Sequence, residues 1–127
     1  MELNFAQMSS MNETFEALKD KQMPFKLSLI IAKDMALLSK EIDFYVEQER
    51  AFAQKYLQVD ENGQFIQDSP GVFKIIEGKE EECATAREEL NKFTTNVELR
   101  TIPISLIENM EFTPAQLAAL EMLIEEE

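Results

Sequence analysis

A heptad stripe in the middle of the chain constrains the fold more than any other feature. Its side chains are apolar or aromatic with one acidic exception, and they recur alternately four and three residues apart: Ile31, Met35, Leu38, Ile42, Tyr45, Glu49, Phe52 and Tyr56. This spacing puts all of them on one face of an α-helix. Such a face needs a partner, so the stripe predicts a long helix over about residues 24–57 that packs against another helix.

A second heptad pattern supplies a partner helix. Its members are Ile76, Cys83, Ala86, Leu90 and Phe93. The pattern predicts a helix over about residues 77–94 that returns antiparallel along the first one. Cys83 is interpreted as a small apolar residue of this face. Carboxylates crowd the first turns, where they favour the helix dipole: Glu80, Glu81 and Glu82.

Glu49 is the one charged residue in the first stripe, and it has two interpretations. It marks the edge of the packed face, because long charged side chains reach solvent from such an edge. Alternatively, it pairs with Arg87 or Lys92 of the second helix. The first interpretation is preferred from the sequence.

Turn signals between the two helices predict a small β-hairpin, or a three-stranded patch, over about residues 57–75. Asn62 and Gly63 tolerate the positive φ of a tight turn, and Pro70-Gly71 marks a second one. Four apolar residues stand in the short strands: Phe65, Ile66, Val72 and Phe73. Where such residues are not covered they mark an interaction site. The alternative is that they form a minimal local core.

The two ends of the chain predict a helical body. Residues 2–5 and the alternating segment 97–102 are expected to be two strands that pair. Capping boxes at Ser10–Glu13, Ser105–Glu108 and Thr113–Gln116 predict helix starts, with a first helix over about 11–21 and a last one reaching about Glu125. The sequence therefore predicts one mainly α domain over residues 1–127, with a body at 1–23 and 97–127. A coiled-coil arm at 24–96 ends in the β-hairpin.

Composition excludes most site chemistry. The chain has no His and one Cys, so it cannot build a Ser-His-Asp triad, a Cys-His pair or a zinc or iron–sulfur site. Its three Gly are isolated and form no phosphate loop. We therefore expect a non-enzymatic protein with no cofactor, no metal and no small-molecule substrate. A hydrolase that uses carboxylates and a metal is the least favoured alternative.

The net charge of −13 limits the partners. Affinity for nucleic acid and for anionic membranes comes mostly from Lys and Arg, so neither is expected as a partner. No base follows Arg100. The acidic surface keeps the protein soluble, or it meets a basic partner. No membrane span or signal peptide is recognised, and the single Cys suits a reducing compartment. The sequence predicts a cytoplasmic protein.

Several segments together resemble a known family. They are PFKLSLIIAK at 24–33, KYL at 55–57, DENG at 60–63, IPISLIEN at 102–109, FTPA at 112–115 and LEMLIEE at 120–126. In this order they resemble short acidic proteins of unknown function that are encoded in phages and prophages of Gram-positive bacteria. The resemblance covers nearly the whole chain. It implies a phage-encoded accessory protein in an infected or lysogenic host cell, or one associated with the virion, and it implies no catalytic residues.

The expected function is therefore protein binding, related to tail or particle assembly. The partner would be a phage or host protein, and a second copy could also pair through the helical stripe. The alternative function is an acidic inhibitor of host defence or nucleic-acid machinery that acts by charge mimicry. The candidate interaction residues are Phe65, Ile66, Val72 and Phe73 at the hairpin and Glu80, Glu81 and Glu82 at the start of the second helix.

Overall fold

The computed structural model describes residues 1–126 and is mainly helical. Its α-helices are α1 (Phe5–Leu18), α2 (Phe25–Tyr56), α3 (Glu80–Asn91) and α4 (Pro114–Leu120). Short strands are β1 (Glu2–Asn4), β2 (Gln67–Ser69), β3 (Val72–Phe73), β4 (Thr94–Asn96), β5 (Ile102–Pro103) and β6 (Ile124–Glu125). Two 3₁₀ turns lie at Ile104–Leu106 and Glu121–Leu123. Among residues 1–126, none of the helices combines the length and apolar character needed to cross a membrane.

The long helix α2 has nearly the predicted bounds. Pro24 lies directly before it, and the Pro24 carbonyl accepts the first helical hydrogen bond from Ser28 N at 3.0 Å. The predicted stripe is its packed face, because all eight stripe side chains are buried or half-buried. The heptad pattern therefore identified both the helix and the face that it buries.

The first helix begins earlier than the sequence analysis predicted. Asn4, not Ser10, is its N-cap: the Asn4 side chain accepts from Gln7 N at 2.8 Å, and the Gln7 side chain accepts from Asn4 N at 2.9 Å. This reciprocal cap satisfies free N–H groups of the first turn. Ser10 consequently lies exposed inside α1, which ends at Leu18.

The strand pairings near the chain ends also differ from the prediction. β1 does pair with a C-terminal strand, but the partner is β4 at 94–96, in antiparallel register with Leu3 opposite Thr95. The segment 97–102 is not a continuous strand, and Ile102 pairs instead in parallel with Ile124. Val97 is buried, Leu99 is half-buried, and Glu98 and Arg100 are exposed, so burial alternates only as far as Arg100. The phase changes before Ile102, which is buried although a continuous strand would place it on the exposed face.

The C-terminal helix is shorter than predicted. Thr113 caps α4 through its hydroxyl, which accepts from Gln116 N at 3.1 Å, so the predicted capping box is confirmed. The α-helix stops at Leu120 and tightens into a 3₁₀ turn. Leu123 is then fully buried, and the chain continues as β6 rather than as helix to Glu125.

The chain divides into two compact units. The first comprises Met1–Asp43 and the described residues from Thr94 on. It holds the core cluster of Leu3, Met8, Met11, Phe15, Leu18, Leu27, Ile30, Ile31, Leu38, Val97, Ile102, Ile107, Leu120 and Leu123. The second unit is Phe44–Phe93. The body and arm of the sequence analysis, with bounds at 24 and 96, remain a prediction.

Candidate functional site

In the second unit, aromatic contacts join the second half of α2 to Phe93, which lies just after α3. The Phe93 ring lies 6.0 Å from that of Phe44 and 5.6 Å from that of Tyr45, measured between centroids. Cys83 is buried, as its interpretation as an apolar face residue predicted. These contacts lie within the range at which aromatic pairs stabilise packing.

Glu49 pairs with Arg87, so the interpretation preferred from the sequence is wrong and its alternative is confirmed. Arg87 Nη1 and Nη2 donate to the two Glu49 carboxylate oxygens, each at 2.8 Å. Tyr45 Oη donates to the same carboxylate at 2.7 Å. The hydrogen bond between Arg87 and Glu49 is the main cause that lowers the pKa of Glu49 and raises the pKa of Arg87. The guanidinium also lies 4.2 Å from the Phe52 ring centroid.

The segment 57–75 folds into a small β structure with two turns. In the first turn, Asp60 Oδ1 accepts from Asn62 N at 2.8 Å and from Gln64 N at 3.0 Å. Gly63 there has φ of 77°, which explains why a glycine occupies this position. The predicted hairpin is present, and its regular strands are β2 and β3. Isolated bridges also join Leu57 to Ile75 and Val59 to Phe65.

Three segments of this β structure are joined by main-chain hydrogen bonds. Gln58 N donates to Lys74 O at 2.9 Å, Ile66 N to Gln58 O at 3.0 Å, and Lys74 N to Ile66 O at 2.8 Å. The three bonds therefore link each segment to both of the others. Residues 57–75 therefore form one small β structure that is joined through its backbone.

Three of the four predicted apolar interaction residues are exposed on this β structure. Val72 is 54% exposed, Phe73 40% and Phe65 38%. The Phe65 and Phe73 rings make an edge-on contact with centroids 6.2 Å apart. We call Phe65, Val72 and Phe73 the tip patch. Ile66 is half-buried and does not belong to this exposed set.

The predicted acidic cluster lies at the start of α3. Glu80, Glu81 and Glu82 are all exposed in its first turn. Glu80 Oε2 accepts from Gly78 N at 3.0 Å. Within residues 1–126, none of the three forms an ion pair with a Lys or Arg. The structure thus leaves their negative charge open to solvent.

Asp34 is a buried acidic residue that was not identified from the sequence. It is fully buried in the first unit, where Oδ1 accepts from Arg100 N at 2.8 Å and Oδ2 has no hydrogen-bond partner. Burial raises its pKa from 3.8 to about 6, while the bond from Arg100 opposes this change. The available signal was its position, since Asp34 stands between Ile31 and Leu38 on the wide apolar face of α2.

The described residues offer little to a metal ion. Across residues 1–126, no group of three or more Asp, Glu or Cys side chains is placed to hold one.

No protein-family model matches the chain, and comparisons with curated proteins and with solved structures likewise give no match. Interpretation of function therefore depends on the surfaces themselves.

Proposed function

We propose that the protein is a non-enzymatic binding protein that docks on another protein through the tip patch. The observation that carries the proposal is the ring contact between the exposed side chains of Phe65 and Phe73, with Val72, also exposed, next to Phe73 in β3. Adjacent exposed aromatic and apolar side chains are typical of interaction sites, and aromatic residues dominate the energetics of such interfaces. The partner would present a complementary apolar surface.

The contacts around α3 support a helical hairpin as the carrier of this patch. Phe93 contacts Tyr45, whereas Arg87 contacts Glu49 and Phe52. Residues later in α2 thus contact residues earlier in the segment formed by α3 and Phe93, which is the order expected for an antiparallel pair. The proposed hairpin is an antiparallel coiled coil that presents the segment 57–75 between its helices.

We further propose that the protein is phage-encoded and acts during tail or particle assembly in the cytoplasm of an infected or lysogenic host. The support is the resemblance of its ordered motifs, from PFKLSLIIAK at 24–33 to LEMLIEE at 120–126, to acidic phage and prophage proteins. The proposed partner is then a phage structural protein. No nucleic acid, membrane or small-molecule substrate is part of this proposal.

The proposal is tested by capture of the partner with matched variants. Tagged wild-type, Val72→Asp and Val46→Asp proteins are used to purify partners from phage-infected cells. Val46 lies in the same unit and is 43% exposed, so both variants exchange the same side chain and the same charge. A partner that wild type and Val46→Asp retain and Val72→Asp loses supports the tip patch. A partner retained by all three refutes it.

Charge mimicry is the second candidate function, and the open carboxylates of Glu80, Glu81 and Glu82 favour it. The same capture distinguishes it by salt. Apolar contacts survive a wash in about 1 M salt, where the Debye length is only about 3 Å, whereas contacts between exposed charges are screened. A host nucleic-acid enzyme that is released by this wash, and equally well bound by Val72→Asp, would favour charge mimicry over the tip patch.

A further inference from the structure

An apolar groove with an acidic rim lies in the first unit and plays no part in the proposed function. Its volume is about 660 Å³, and it is lined by the 3₁₀ turn at 104–106, the segment that follows, the end of α4 and β6. The large apolar side chains of the lining are those of Ile104, Ile107, Met110, Phe112, Leu117 and Ile124. We call it the C-terminal groove.

Part of the apolar lining is accessible from solvent, although Ile107 is buried. Leu117 is 41% exposed and Ile104 36%, while Met110 and Phe112 are half-buried. Large apolar side chains that are open in this way lose water favourably when a partner covers them. The groove therefore offers apolar anchoring sites rather than a closed core.

The charge around the groove is entirely negative. Glu108, Glu121 and Glu126 line it and are exposed. None of them forms an ion pair with any Lys or Arg of residues 1–126. The segment from Thr101 onward contains no basic residue at all. Uncompensated carboxylates around apolar sites select an occupant that carries positive charge beside apolar side chains.

We propose that the C-terminal groove binds a basic amphipathic helix of a partner protein. The apolar face of such a helix fills the groove with residues three and four apart, which is the usual mode by which grooves bind helices. Lys and Arg at the edges of that face then meet the rim carboxylates. This surface differs from the tip patch in its residues and in the chemistry of its partner, so either proposal can fail without the other.

A synthetic peptide of Leu and Lys, about 14 residues or four helical turns long, tests the proposal. It carries one Trp on its apolar face. The protein contains no Trp, so all Trp emission comes from the peptide. A blue shift of this emission therefore reports that the Trp of the peptide has become buried. Two control peptides have Glu in place of Lys, or the same residues in an order without an amphipathic face. Only the basic amphipathic peptide is expected to show a blue shift of its Trp emission when the protein is added.

Matched variants locate the binding. Glu121→Gln is compared with Glu111→Gln, because both remove one exposed charge and Glu111 does not line the groove. Leu117→Gln is compared with Met122→Gln, because Met122 is 47% exposed and lies outside the groove. We expect Glu121→Gln to raise Kd about two- to fivefold and Leu117→Gln at least about fivefold, with Kd nearly unchanged in both controls.

Three results would overturn the proposal. One is the absence of a blue shift with the basic amphipathic peptide at every concentration at which the peptide stays soluble. Another is equal binding of the peptide that lacks an amphipathic order. The third is equal weakening by Glu111→Gln and Glu121→Gln, because attraction to the overall negative charge would then account for the binding.

Discussion

Glu49 and Arg87 form a two-pronged ion pair between α2 and α3, with both N–O distances at 2.8 Å. Each side chain is about one third exposed, so the pair is neither fully screened by water nor fully desolvated. Arg87 also stacks on Phe52, and Glu49 accepts from Tyr45. A charged residue in the apolar stripe thereby becomes a specific contact that fixes how the two helices meet.

Breaking this ion pair should destabilise the fold. In a double-mutant cycle of Glu49→Gln and Arg87→Met, we expect a coupling free energy of roughly 1 kcal/mol, the upper end for partly exposed pairs, because the geometry is bidentate. The Glu88–Lys92 pair is much more exposed, and a cycle of Glu88→Gln and Lys92→Met should give a coupling near zero. Urea unfolding measures both coupling free energies. Equal values would contradict the claim that the Glu49–Arg87 pair is the stronger of the two.

The buried carboxyl of Asp34 should give stability a distinctive pH dependence. The pKa of this group is 3.8 when unfolded but about 6 when folded, so the folded state binds more protons between these values. Stability therefore falls as pH rises through this window, by up to roughly 3 kcal/mol, and the loss is complete above about pH 6.

The Asp34→Asn variant isolates this effect. The amide that it introduces does not titrate, yet its oxygen can still accept from Arg100 N. The unfolding free energy of wild type minus that of the variant should decline between pH 3.8 and about 6 and stay level above. Urea unfolding at a series of pH values measures this difference. A difference that rises with pH would show that Asp34 is stabilised in its ionised form instead.

Adjacent leucines on α2 test which face of the helix is packed. Leu38 is fully buried in the core of the first unit, whereas Leu37 is 40% exposed. Leu38→Ala should lower the free energy of unfolding by about 2–5 kcal/mol, because it leaves a cavity. Leu37→Ala should change it by less than about 1 kcal/mol. Thermal or urea unfolding measures the stability of both variants. Similar losses of unfolding free energy in the two would mean that the packed face of α2 is misassigned.

The start of α1 can be tested by removing either potential cap. Asn4→Ala should cost about 1 kcal/mol of unfolding free energy, because the N–H of Gln7 loses its acceptor. Ser10→Ala should cost nothing, since Ser10 lies exposed within the helix and Ala is the better helix former. The opposite ranking in urea unfolding would place the helix start at the later capping box.

Helices were more predictable from the sequence than strands, for a physical reason. The stripe from Ile31 to Tyr56 repeats a helical period many times, so α2 and its packed face could be inferred with nearly correct bounds. The strands have only two or three residues each, which is too short for a period to appear. Their pairing depends on contacts between distant segments, such as Ile102 with Ile124.

Local rules failed where two of them competed. Asn4 and Ser10 both begin plausible capping boxes, and the structure forms the one at Asn4, which makes Met8 a buried residue inside α1. From the sequence, the Glu49 carboxylate could be either solvated or paired. The folded structure brings Arg87 to it, and this contact could not be inferred from the spacing of residues along the chain. The four apolar residues of the segment 57–75 could be named from the sequence as an interaction site or a local core. Which of them are exposed, and the separation of Ile66 from the tip patch, depend on the folded β structure.

The central claim is that the tip patch contacts a partner protein, and site-specific photo-crosslinking in phage-infected cells tests it most directly. The photoreactive residue p-benzoylphenylalanine replaces Phe73 in one variant, Phe44 in a second and Glu81 in a third. Phe44 is 51% exposed in the same unit, so it controls for exposure. We predict a discrete adduct with one partner at position 73 and none at position 44. An adduct at position 81 alone, or equal adducts at 73 and 44, would contradict the claim.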